Sequence, residues 1–160
     1  MDGTVDSVTG WVSNTSITDQ IRAMTARNVM IIADSCYSGS LMRSGLVTLR
    51  SGLTAEKKAL RLSDDVNLMT RVALSSGGLQ PVIDSLDNSK HSVFAGAILA
   101  VLNDNQELLD ADSLATQVAH SVALATKDNV RQVPRYAPLA AGGHQGGEFY
   151  FTPKSVLSKK

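Results

Sequence analysis

The sequence holds a single cysteine, Cys36, which excludes an internal disulfide and any multi-cysteine zinc site. It has no excess charge of either sign: 15 Lys and Arg balance 15 Asp and Glu over 160 residues. That balance disfavours a strongly basic nucleic-acid binder. No apolar run approaches the ~18–20 residues that a membrane helix needs. The opening Met1-Asp2-Gly3-Thr4 has neither the basic head nor the apolar stretch of a signal peptide, so with Met1 as the start a cytoplasmic location is expected. Internal repeats and low-complexity tracts are missing as well. What is present is 43% hydrophobic and 19% charged residues, the profile of one ordinary globular domain. A chain of this length can bury a core without disulfides or metals.

Ser16 with Asp19 has the look of a helix opening, and Ile17, Ile21 and Met24 follow at helical spacing to about residue 27. Val29-Met30-Ile31-Ile32-Ala33 is a continuous apolar run, which predicts a strand covered on both faces within a parallel sheet. Residues 37–54 read as a long exposed loop carrying Arg43 and Arg50, and residues 54–62 as a short helix. Arg71-Val72-Ala73-Leu74-Ser75 predicts a second buried strand. Ser92 is placed as the cap of a helix whose inner face is Val93, Phe94, Ala97, Ile98, Val101 and Leu102. Asp112 is placed as the cap of another, with Leu114, Val118, Val122 and Ala125 inward. Residues 131–147, with Pro134, Pro138 and four glycines, read as an irregular loop, and 148–152 as a final half-buried strand. The order predicts an α/β fold with a largely parallel sheet.

In such sheets ligands bind outside the carboxyl ends of the parallel strands. Cys36 falls there, just past the first strand, in a turn whose Ser38 and Gly39 leave backbone N–H groups able to face an anion. A thiol attacks only as the thiolate, so a nucleophilic Cys36 needs a base or a positive charge beside it. The competing reading is a buried core cysteine. For Asp34 the local reading is a turn residue closing the strand.

The segment Val29-Met30-Ile31-Ile32-Ala33-Asp34-Ser35-Cys36-Tyr37-Ser38-Gly39 resembles the nucleophile segment of caspase-like cysteine peptidases, nearer to the metacaspase and bacterial branch. Further similar stretches follow in the family's order. They are the strand and loop at 71–82, His91-Ser92-Val93-Phe94 at a helix start, and the glycine-rich Gly142-Gly143-His144-Gln145-Gly146-Gly147-Glu148-Phe149. The resemblance spans about residues 11–153. It implies a three-layer α/β/α caspase-like domain at 1–153 with a closing antiparallel strand, followed by a tail at 154–160. It also implies a cysteine endopeptidase acting on a protein or peptide, without metal or other cofactor. Cys36 would form a thioester with the substrate, and its backbone N–H would serve as an oxyanion donor. Asp34 would receive an Arg or Lys side chain before the cut, and Ser76 and Asp84 would line the substrate groove.

One departure from the family pattern matters. The family's base is a His followed by Gly on the strand before the nucleophile, whereas His91, His120 and His144 all follow Cys36. The expectation is therefore that the His and about three strands of the domain lie outside this chain, and that the missing half is a partner. His144 is a surrogate base if its loop shares a sheet edge with Cys36. His91 and His120 read as surface or helix-start residues. Arg43, Arg50, Lys57, Lys58 and Arg61 are solvated charges or self-processing sites. Asp64-Asp65 is far short of the ligand set calcium needs. The alternative function is a catalytically inactive caspase-like interaction module.

Overall fold

The computed structural model describes residues 13–35, 42, 55–65, 67–77, 91–127 and 132–153. Within them the fold is mixed α/β, with four helices and a mixed three-stranded sheet. In chain order the elements are α1 (Asn14–Ala23), β1 (Asn28–Ala33), α2 (Ala55–Asp65), β2 (Thr70–Ser75), α3 (Val93–Asp104), β3 (Leu109–Asp110), α4 (Ala111–Ala125), β4 (Arg135–Pro138) and β5 (Tyr150–Phe151). The main sheet runs β1-β2-β4. β1 and β2 are parallel in the register Asn28↔Thr70 to Ala33↔Ser75. β4 is antiparallel to β2, with Ser75↔Arg135 and Val72↔Pro138.

Strand alternation sorts the core into two layers. Leu74, Met30 and Tyr136 share one face of the sheet, packed with Phe94 and Ile98 of α3 and Leu114, Val118 and Val122 of α4. Ala73, Val29, Ile31 and Ala137 share the other, packed with Ile17 and Ile21 of α1, Met42 and Leu139. Helices on both faces explain why the middles of β1 and β2, residues 29–33 and 72–74, are apolar without alternation. β2 is buried at every position. β1 is only half-buried, and Ile32 remains 45% exposed, because β1 is the edge strand among the described residues. The inner face expected for α3 is the one it buries, and Ser92 caps it by accepting the Ala95 N–H.

Several expectations are corrected. The cap of α1 is Ser13, whose Oγ accepts the Ser16 N–H, and the helix stops at Ala23. Asp110 caps α4 by accepting the Ser113 N–H, which places Asp112 inside the first turn, and Ala125 is exposed. Residues 135–138 are a strand, not loop. Their pairing comes from the open side of β2, and Pro138 sits where an edge strand tolerates a missing N–H. The strand expected at 148–152 shrinks to Tyr150–Phe151 and pairs antiparallel with β3, outside the main sheet.

The start of β2 is closed by an arginine. The Arg71 side chain lies on the α1 face and is 0% exposed. Its Nη1 donates to the carbonyls of Arg27 (2.6 Å) and Thr70 (2.9 Å), and its Nη2 to those of Ala26 (2.5 Å) and Met24 (3.3 Å). Met24 is the C-cap of α1, so the guanidinium meets the negative end of that helix and the orphan carbonyls of the turn into β1. The glycine-rich segment folds over the same end. Gln145 N–H donates to the Met69 carbonyl, and a Cβ at Gly147 would lie 2.5 Å from Thr70 Oγ1 and 2.9 Å from the Leu68 carbonyl oxygen.

Candidate active site

The carboxyl ends of β1 and β2 lie side by side, and the ladder continues past them through the Ser76 N–H, which donates to the Ala33 carbonyl at 3.0 Å. Asp34 and Ser76 are therefore brought to one sheet edge. Asp34 is exposed. Its Oδ2 accepts a hydrogen bond from the Ser92 hydroxyl at 2.5 Å, which sets the carboxylate at the N-terminus of α3. The positive end of that helix favours a negative charge at this point. His91, exposed, directly precedes Ser92.

Ser76 is wholly buried. Its Oγ reaches the Ser35 carbonyl at 3.5 Å, and its own carbonyl accepts from Gln132 Nε2 at 2.8 Å. Ser76, expected to line the substrate groove, thus has its side chain buried between the two strand ends, which it ties together. Beside it, Ser75 Oγ donates to the Gly77 carbonyl at 2.9 Å. Cys36 and Asp84 lie outside the described residues.

His144 is at the opposite end. The antiparallel run of β4 carries the chain from Ser75 back toward the start of β2, and the segment after it stays there. His144 Nδ1 accepts the Arg71 backbone N–H at 3.2 Å. Ser75 lies four steps along the strand from Arg71, roughly 13 Å at ~3.3 Å per residue. The sheet edge shared by His144 and the segment after β1 is therefore not formed, and His144 instead satisfies the Arg71 N–H near the start of β2. Of the glycines around it, Gly147 allows close approach to Thr70 and Leu68, and Gly142 to Leu139 and Arg71.

Compared with protein-family models, with curated proteins and with solved structures, the chain matches none at a significant level. The site is therefore read from its own residues. Among the described residues no group of three or more His, Cys, Asp and Glu is placed to hold a metal ion, and no helix is long and apolar enough to cross a membrane.

A second polar cluster lies at the seam between the sheet and α4. Tyr136 donates to Glu148 Oε1 at 2.7 Å, and the Phe149 N–H donates to the same oxygen at 2.8 Å. Burial raises the Glu148 carboxyl above its ordinary range, opposed by those two bonds. Burial, then the neighbouring Glu148, raise the Tyr136 hydroxyl. Tyr150 donates to Asp65 at 2.7 Å, tying β5 to the end of α2, and its hydroxyl too is raised by burial and by that bond. Of these contacts, the Tyr150–Asp65 bond joins segments 85 positions apart in the chain.

Sequence reasoning missed Gln132 and the role of Ser92 toward Asp34. Ser92 was legible as a cap, but its partner lies 58 positions away, and no local pattern signals such a bond.

Proposed function

We propose that this chain is the nucleophile-bearing part of a cysteine endopeptidase of caspase or metacaspase type, with the three-layer fold of that class. Cys36 attacks the scissile carbonyl, a histidine from outside these 160 residues takes its proton, and Asp34 receives the basic side chain that precedes the cut. The observation that carries the reading is the exposed Asp34 carboxylate at the C-terminal edge of the parallel pair, at the head of α3 and two positions before Cys36 in sequence. Ligands of open α/β sheets gather at that edge, and a carboxylate held there binds guanidinium or ammonium by charge-assisted hydrogen bonds. Ser76 and Gln132 serve by fixing the strand ends.

The test is peptide hydrolysis by the complete protein. Cys36→Ala is expected to abolish cleavage after Arg and Lys, and unchanged turnover ends the proposal. A second reading, an inactive interaction module, is favoured by the engagement of His144 at the far end of β2, which removes one internal base. Alkylation of Cys36 against pH separates the two. An apparent pKa near the free-thiol value of ~8.5 supports the module, and a much lower one supports the peptidase.

A further inference from the structure

We infer that Ser92 is a positioning residue for Asp34 and sets how strongly this site prefers a guanidinium over an ammonium group. The inference rests on the reading of Asp34 as the receptor for a basic side chain. A serine hydroxyl has one proton to give and two lone pairs. In Ser92 both kinds of bond are directed. The oxygen accepts the Ala95 N–H at 2.9 Å, and the proton goes to Asp34 Oδ2. The first bond locks Ser92 to the opening turn of the 12-residue α3, an element anchored by the buried Phe94 and Ile98. The second transmits that rigidity to the exposed Asp34 carboxylate.

The consequence is geometric. An ionised carboxylate offers about four acceptor sites, of which Ser92 takes one. The remaining lone pairs then lie in a plane held relative to the sheet edge. A guanidinium binds a carboxylate through two parallel N–H bonds in a common plane, so it gains from a fixed plane. An ammonium is a compact point charge with rotatable donors and gains much less. Removing the Ser92 hydroxyl therefore weakens arginine more than lysine, while the charge of Asp34 is untouched.

The test is a titration of the full chain with Nα-acetyl-arginine amide and Nα-acetyl-lysine amide, followed by NMR. It compares the wild type with Asp34→Asn, Ser92→Gly and Ser92→Thr. Glycine is a tolerated cap, so Ser92→Gly keeps α3 while deleting the hydroxyl. The expected result is loss of both probes in Asp34→Asn. Ser92→Gly should bind the arginine probe about five-fold more weakly, the equivalent of one directed hydrogen bond, and the lysine probe at most about two-fold. Ser92→Thr should restore both affinities. A capping role alone lowers helix stability without moving the arginine-to-lysine ratio. An unchanged ratio in Ser92→Gly, or failure of Ser92→Thr to restore it, overturns the inference and leaves Asp34 as the receptor. Wild-type binding that is absent, or unaffected by Asp34→Asn, overturns the reading of Asp34 itself.

Discussion

At the start of β2, Arg71 is wholly buried and its guanidinium is bound to four backbone carbonyls, while His144, Gln145 and Gly147 close over Leu68–Arg71 from the other side. At the carboxyl end of the β1/β2 pair, Ser76 is buried but Asp34 stays exposed, held by one directed bond from Ser92. Both ends carry charge, serine or glycine, and a helix terminus. The difference lies in what the charge faces. The cation at one end meets the C-terminus of α1 and is consumed by the fold, and the anion at the other meets the N-terminus of α3 with lone pairs left over. The closed end serves the fold, and on the proposed reading the open end is the one that meets a substrate.

Four variants break or sharpen that contrast. The largest effect is expected from Arg71→Leu, which removes the side-chain donor of the Met24 and Ala26 carbonyls and leaves the Arg27 carbonyl with the Thr70 N–H alone. Urea denaturation should show a loss of about 3–4 kcal/mol, against less than about 0.5 kcal/mol for the exposed Asp34→Asn. Comparable losses from the two would erase the distinction between the ends. Gly147→Ala comes next. Its added Cβ meets Thr70 Oγ1 at 2.5 Å and the Leu68 backbone at 2.9 Å, so a loss of about 2 kcal/mol is expected in the same assay. His144→Ala removes one acceptor from the Arg71 N–H and should lower stability by about 1 kcal/mol. The pH profile of Cys36 alkylation should not move in this variant, and a displaced profile would return His144 to the site.

The smallest effect concerns Glu148, at the seam with α4. Its carboxyl is raised by burial, so folding favours the protonated form. The associated stability is fully present below the ordinary glutamate value of 4.5 and is lost as pH rises through the raised folded value. Glu148→Gln should flatten that part of the stability–pH curve. A curve identical to the wild type would show that Glu148 is not the group titrating there.

Much of this fold is legible locally. The apolar run at 29–33 and the shorter one at 72–74 mark strands covered by helices, and both lie in strands. The Ser92 cap and the apolar stripe of α3 are also local patterns, written in one hydroxyl and a 3.6-residue period. Arg71, by contrast, looks in sequence like the polar edge of a strand. Its burial depends on α1 ending beside it, a contact 44–47 positions away. β4 is not legible locally, because two prolines mask a four-residue strand that is set by its pairing with β2 and by the packing of Tyr136 and Ala137.

The candidate site divides in the same way. The chain alone placed Asp34 and Cys36 together after the first buried strand, because neighbours in a turn stay neighbours in any fold. It could not assign ends to the later segments, so it left His144 a surrogate base only on the condition of a sheet edge shared with Cys36; the antiparallel direction of β4 puts His144 against Arg71 instead. Nor could it show that the hydroxyl capping α3 also binds Asp34. Periodicity and capping act over a few residues and are carried by the sequence itself. Strand direction, the burial of Arg71 and the meeting of Asp34 with Ser92 depend on which surfaces pack together, and only the tertiary structure decides that.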